Sequence, residues 1–171
     1  MLEKLSQIKA FIFDVDGVLT DGTVHVTETG EQLRRFNIKD GYALQLAIKR
    51  GFQIAIISGG RSQSVVSRLK GLGIQDIYIG VESKIDAYDE FLLTYDLSSD
   101  DILYMGDDIP DLQVMQKVGL PTCPADAAEE IKAISQYISP KKGGEACVRD
   151  VVEKVLKVQG LWLDENPSAQ G

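Results

Sequence analysis

The chain is poor in the residues that build metal cages and disulfide frameworks. Its 171 residues include one histidine, His25, and two cysteines, Cys123 and Cys147. A lone histidine excludes a histidine-based metal centre and any chemistry that needs several imidazoles; on a hairpin it reads as an exposed or interface residue. The cysteines stand far apart and in no paired motif, so zinc and structural-disulfide readings fall away and two small buried residues remain. Cations are also in deficit. Eighteen Lys and Arg against 26 Asp and Glu give a net charge of -8, which argues against a nucleic-acid partner or an anionic membrane surface. No apolar run approaches the roughly 18 residues of a membrane span, and residues 1–7 carry no signal-peptide pattern. What is present is a chain of single-domain length with 44% hydrophobic residues, enough for a core. The expectation is a soluble, cytoplasmic protein that works with carboxylates, hydroxyls and a few lysines.

Short apolar runs alternate with amphipathic stretches along the whole length. Ala10-Phe11-Ile12-Phe13, Ile54-Ala55-Ile56-Ile57, Ile77-Tyr78-Ile79 and Ile102-Leu103-Tyr104-Met105 read as buried parallel strands. Period-2 alternation over residues 23–27, a turn at Thr29-Gly30 and a second extended run to about Phe36 predict a β-hairpin, at about residues 20–38. Helical spacing predicts helices over 41–49 and 62–69. Ser83 reads as the N-cap of another to Tyr95, with Asp86 as its capping-box partner. Two more strand–helix units follow, ending in an amphipathic helix over about 148–158. The fold class is α/β: a doubly wound, Rossmann-like parallel sheet flanked by helices. One domain fills residues 1–160, and 161–171 reads as a flexible polar tail.

In such a sheet, ligands bind beyond the carboxyl ends of the strands, and those ends are decorated here. The first strand runs into Asp14-Val15-Asp16-Gly17, the second into Ser58-Gly59, and the fourth into Gly106-Asp107-Asp108 with Asp111 close behind. Taken singly, each group also fits a bland role. An acidic pair caps a turn, a serine ends a strand, Lys84 ahead of a helix is a solvated charge, and Asp111 favours a first helical turn. Several such groups on one sheet edge are harder to explain, because clustered carboxylates repel unless a cation holds them.

Asp14-Val15-Asp16-Gly17-Val18-Leu19-Thr20, Ser58, Lys84 and Gly106-Asp107-Asp108, in that order, resemble the four motifs of haloacid dehalogenase superfamily phosphatases. The resemblance implies an Asp-nucleophile phosphotransferase that requires Mg²⁺. It implies Asp14 as nucleophile, Asp16 as acid and base, and Ser58 with the Gly59 amide as phosphoryl ligands. Lys84 would neutralise charge, and Asp111 fits a supporting role orienting Lys84 or the metal loop. The metal ligands would be Asp14, Asp107 and the Asp16 backbone carbonyl, with Asp108 direct or through water. Those roles agree with what phosphoryl transfer needs: an in-line nucleophile, charge neutralisation and a proton for the leaving oxygen.

Superfamily members usually carry a cap domain, yet 42 positions separate Asp16 from Ser58 and 26 separate Ser58 from Lys84. Neither gap holds one, so the site is open, which suits a large substrate or a site completed by a neighbouring subunit. Asp21-Gly22, residues 37–42, residues 58–62 and Gly143-Gly144-Glu145-Ala146-Cys147-Val148-Arg149 further resemble the 3-deoxy-D-manno-octulosonate 8-phosphate phosphatase family. That family implies a sugar acid phosphate substrate, lipopolysaccharide biosynthesis and a homotetramer built through the hairpin. Asp40 and Gly41 would line the mouth, and Arg61 and Arg149 would face the substrate carboxylate; either arginine also fits a solvated surface. Cys147-Val148 departs from the small residue and Val usual there, with no obvious chemical consequence. A nine-carbon ulosonate 9-phosphate, a phosphoprotein, or a non-catalytic assembly role beside a sugar cytidylyltransferase stay open as alternatives.

Overall fold

The computed structural model describes residues 1–163; the expected tail over 164–171 lies outside the described residues. In chain order the elements are α1 (Leu2–Gln7), β1 (Ala10–Phe13), β2 (His25–Val26), β3 (Gln32–Leu33), α2 (Ile38–Lys49), β4 (Gln53–Ile57), α3 (Gln63–Gly71), β5 (Asp76–Tyr78), α4 (Lys84–Tyr95), β6 (Ile102–Met105), α5 (Leu112–Met115), β7 (Leu120–Cys123), α6 (Glu129–Ile134), β8 (Tyr137–Ile138) and α7 (Cys147–Val158). Six strands pair in the order β5-β4-β1-β6-β7-β8, all parallel, and β2 and β3 form a separate antiparallel ribbon.

The apolar runs are strands because both of their faces are covered. Phe11, Phe13, Ile54, Ile56, Leu103 and Met105 pack with buried residues of α1, α2, α3 and α7. Their neighbours Ala10, Ile12, Ala55, Ile57, Ile102 and Tyr104 pack with α4, α5 and α6 on the other face. Side chains that alternate between two helical layers leave no polar position in a central strand. In α7, Val148, Val151, Val152, Val155 and Leu156 are buried, the spacing of a helix with one apolar stripe. β1 lies between β4 and β6, and the chain leaves it in opposite directions along the sheet. The crevice beyond the ends of β1 and β6 is therefore the topological switch point. The β1–β4 connection holds the ribbon and α2, and the β4–α4 connection holds α3 and β5. Neither holds a cap domain.

Several elements differ from expectation. α1 was not foreseen; Leu5 is buried under it. The ribbon pairs only His25 with Leu33 and Val26 with Gln32, much less than the alternation suggested, because these residues are exposed and no other described residue covers them. α2 starts three residues early, with the Asn37 side chain accepting the Lys39 amide at 2.8 Å. Ser83 does precede α4, but its side chain makes no capping bond. The start of the expected tail is packed. The Leu161 amide donates to the Leu156 carbonyl at 2.7 Å, and Trp162 is buried. Among the described residues, no helix is long and apolar enough to cross a membrane.

Two junctions set the geometry beyond β1. After Asp14 the chain makes one wide turn over Val15–Leu19, closed by the Thr20 amide donating to the Val15 carbonyl at 3.1 Å. The loop before α7 leans on this turn, with the Gly144 amide on the Val18 carbonyl at 3.0 Å. A Cβ on Gly143 would stand 2.0 Å from the Gly17 carbonyl oxygen, so only glycine permits that approach.

The second junction joins α2 to α7. Asp40 is 1% exposed and its Oδ1 accepts the Arg149 amide at 2.8 Å, an anion set against a helix N-terminus. Its Oδ2 has no partner. Burial pushes the carboxyl up to about 6, against the Arg149 amide and charge, which pull it down. A folded-state value above the unfolded one means that the ionised group costs stability above about pH 6 and less as the pH falls toward 4. Asp40→Asn keeps the accepting oxygen without the charge. Relative to wild type, its unfolding free energy should shift by about 1.5 kcal/mol in the variant's favour between pH 5 and pH 7.5. Urea denaturation at the two pH values measures it.

Candidate active site

Three strand ends and the start of α4 deliver side chains to one open cleft of about 710 Å³. It is lined by Asp14, Asp16, Ser58, Gly59, Lys84 and Asp107, among others. Asp14, one residue past β1, is 8% exposed. Its Oδ1 accepts the Val15 amide at 2.7 Å and its Oδ2 stands 3.2 Å from Lys84 Nζ. Both oxygens are thereby oriented. Ser58, after β4, is buried; its Oγ accepts the Gly60 amide at 3.1 Å, which leaves the hydroxyl proton free to donate. Asp16 stands at the exposed side, held by Arg34.

Lys84 opens α4, where it bridges two carboxylates: Asp14 at 3.2 Å and Asp111 at 2.8 Å. Asp111 is fully buried and saturated. Its Oδ1 accepts from Lys84 and from the Tyr104 hydroxyl at 2.6 Å, and its Oδ2 accepts the Asp107 and Asp108 amides at 3.0 and 3.4 Å. Asp111 thus ties the lysine, β6 and the Gly106-Asp107-Asp108 loop together. Gly106 admits it: a Cβ there would lie 2.4 Å from the Asp111 carboxyl carbon.

The charges do not balance. Burial, and then the Asp111 charge, push the Asp14 carboxyl up to about 7, although Lys84 and the Val15 amide pull it down. Burial and the charges of Asp14, Asp111 and Asp108 push Asp107 up to about 8. Burial opposes the Lys84 ammonium, yet Asp14 and Asp111 hold its pKa above the usual lysine range. Oxygens of Asp14, Asp107 and Asp111 lie within 4.8 Å of one another. Both Asp111 oxygens are already committed, so the pair with capacity for a cation is Asp14 and Asp107. The Asp107 carboxylate accepts none of the described hydrogen bonds and fills the space beside Gly17, where a Cβ would lie 1.8 Å from its Oδ2. Hard oxygens with surplus negative charge fit Mg²⁺.

The structure brings Asp14, Asp16, Ser58, Gly59, Lys84 and Asp107 to the cleft, and Asp108 to its rim. Asp108 is exposed and its Oδ1 accepts the Ile109 amide at 2.8 Å, a capping bond at a short helical turn. Asp40 and Gly41 do not line the mouth. Asp40 is buried at the α2–α7 junction, and Gly41 packs against Arg68, whose Nη2 lies 2.8 Å from where a Cβ would stand. Arg149 is also elsewhere: its Nε lies 3.3 Å from Glu153, and its guanidinium lies over the rings of Trp162 (4.6 Å) and Tyr42 (5.7 Å). Arg61 is exposed beside the cleft and folds over Gly80. Sequence reasoning missed Tyr104, which looked like core, and Arg34, which sits in no motif. Asp111 carried a signal in its spacing four residues after Asp107.

Asp111→Ala leaves the Tyr104 hydroxyl and two amides without their acceptor and strips Lys84 of its nearer partner. Breaking such a buried cluster should cost about 3 kcal/mol or more. The loss is read from the shift in urea midpoint at pH 7.

A haloacid dehalogenase-like hydrolase family model matches residues 72–149. The 3-deoxy-D-manno-octulosonate 8-phosphate phosphatase KdsC of Escherichia coli (strain K12) is 36% identical over 165 residues, covering 96% of this chain and 87% of that protein. The crystal structure of the corresponding phosphatase from Yersinia pestis superposes with a TM-score of 0.92 at 35% identity, over 94% of this chain and 87% of that one. The structure from Moraxella catarrhalis, in complex with magnesium ion, phosphate ion and a KDO molecule, gives 0.91 at 35% identity over 94% and 92%. With the ordered carboxylates, the bridging lysine and the capless parallel sheet, these likenesses place the chain in the 3-deoxy-D-manno-octulosonate 8-phosphate phosphatase family of haloacid dehalogenase-like hydrolases.

Proposed function

We propose that this chain is a Mg²⁺-dependent phosphatase that hydrolyses 3-deoxy-D-manno-octulosonate 8-phosphate through an aspartyl-phosphate. The observation that carries the reading is the Asp14–Lys84–Asp111 bridge with the unpartnered Asp107 carboxylate beside it. A relative 35% identical holds magnesium, phosphate and the sugar acid. Asp14 and Asp107 side chains, with the Asp16 carbonyl, would hold the ion and Asp108 would support it. Bound there, Mg²⁺ supplies the positive charge that lets Asp14 and Asp107 stay ionised together and offsets charge on the phosphoryl oxygens.

Asp14 is positioned to attack. With one Asp14 oxygen held by the Val15 amide and the other by Lys84, the carboxylate forms the bond to phosphorus as the bond to the sugar oxygen breaks. Asp16 gives its proton to that leaving oxygen and then, as carboxylate, takes a proton from water. The water oxygen bonds to phosphorus, the phosphorus bond to Asp14 breaks, and phosphate departs with the aspartate restored. The Ser58 hydroxyl and the Gly59 amide would hold the phosphoryl oxygens, and Lys84 neutralises the nucleophile. Arg61, exposed and folded over Gly80, would be the arginine to meet the substrate carboxylate. Two free thiols, Cys123 and Cys147, both buried, fit a reducing cytoplasm.

Phosphate release should be greatest with the eight-carbon ulosonate 8-phosphate, ahead of a nine-carbon 9-phosphate and a phosphopeptide, and should vanish with a chelator. In Asp14→Asn it should fall by about 10³-fold or more. A preference for phosphopeptide, or full activity in the variant, overturns the reading.

The assembly we propose is a homotetramer seated on the ribbon. Val24, Val26 and Leu33 are 39%, 64% and 51% exposed there, and a two-stranded ribbon is marginal alone. Light scattering at micromolar concentration should give four times the chain mass, and Val26→Asp with Leu33→Asp should lower it.

A further inference from the structure

The acid–base carboxylate of the proposed mechanism is not held by the loop that carries it. Asp14 is fixed by its own neighbour Val15 and by Lys84. Asp16 has one partner among the described hydrogen bonds and ion pairs, and it comes from the ribbon. Arg34, next after β3, donates from Nε to Asp16 Oδ1 at 2.7 Å and from Nη2 to Oδ2 at 3.5 Å. The fork is side-on and unequal. Its short arm fixes the plane of the carboxyl group, and its long arm leaves Oδ2 the looser oxygen, open to carry a proton. The Asp16 side chain is 40% exposed, whereas that of Arg34 is 10% exposed. An exposed ribbon therefore sends one nearly buried cation inward, where it lines a small pocket together with Val15, Ser58, Gly60 and Val65.

We propose that Arg34 is a positioning residue that aims the Asp16 carboxyl at the leaving oxygen, so that the ribbon governs proton transfer while Asp14 and Lys84 govern attack. The inference rests on the phosphatase reading above. Its basis is the separation of supports: no described bond joins Arg34 to Asp14, Lys84, Asp107 or Asp111. Removing the guanidinium frees rotation of the Asp16 carboxyl and leaves the nucleophile's contacts intact. A misaimed acid costs most where the leaving group most needs a proton.

The test compares phenyl phosphate with p-nitrophenyl phosphate, esters of similar shape whose leaving groups differ greatly in basicity. The ratio kcat/KM is read with Mg²⁺ present, because it reports steps only through formation of the aspartyl-phosphate. Arg34→Ala should lower kcat/KM on phenyl phosphate about 10²-fold and on p-nitrophenyl phosphate by less than a tenth of that factor. Arg34→Lys, which keeps a cation, should recover most of the phenyl phosphate rate. Retained turnover of the nitrophenyl ester reports an intact fold and nucleophile within the same sample. Equal losses on both esters, no recovery in Arg34→Lys, or a faster Arg34→Ala enzyme overturn the role of Arg34 alone. A wild-type protein inactive on every phosphate ester overturns the phosphatase reading and this one with it.

Discussion

Three carboxylates and one ammonium group meet where β1 and β6 end, and the charge surplus of that meeting shapes what surrounds it. Like charges at such range repel by a few kcal/mol even at an effective dielectric of about 20. Asp111 is answered completely, by Lys84, the Tyr104 hydroxyl and two amides. Asp14 is answered by Lys84 and the Val15 amide. Asp107 is left as the unanswered charge beside them. The fold thus commits Lys84, the one lysine among the described residues lining the cleft, to orientation and leaves the remaining negative charge to a metal cation. The gaps at Gly17 and Gly106, each filled by a carboxyl group where a Cβ would stand, belong to the same arrangement.

Much of this was legible before any coordinates. Three of the four apolar runs are strands covered on both faces, with no room for polar residues, whereas the third run is a half-buried edge strand that starts at Asp76. The acidic ends of those runs fall on one edge, because parallel strands point one way. Asp14, Asp16, Ser58, Lys84 and Asp107 were readable through order and spacing. The failures have physical reasons as well. Asp40 and Arg149 lie in stretches that match the family pattern, but pattern does not say which way a side chain turns. One is buried as a helix cap and the other lies over two aromatic rings. Tyr104 sits in an apolar run, and nothing in that run announces that its hydroxyl reaches Asp111. Arg34 lies on a ribbon whose course relative to β1 is a tertiary fact.

Among the described residues no cap domain covers the cleft. A cap would exclude water and select substrate; here the cleft stays open, and the ribbon supplies an arginine to the catalytic turn and apolar side chains to solvent. Within one copy, Lys84 is the sole cation among the residues lining the cleft, already engaged twice, so recognition of a second anionic group on the substrate falls to residues around the rim.

The contact between Gly143 and the turn after Asp14 links segments more than a hundred residues apart. Of the parts that brace the catalytic turn, this loop is the last to be synthesised, and it arrives only as α7 docks against α2. A nascent chain can therefore carry the carboxylates and the lysine of the cleft and still lack the loop that braces the turn after Asp14. Long-range closure of this kind slows folding, because the chain entropy is lost before the distant contacts form.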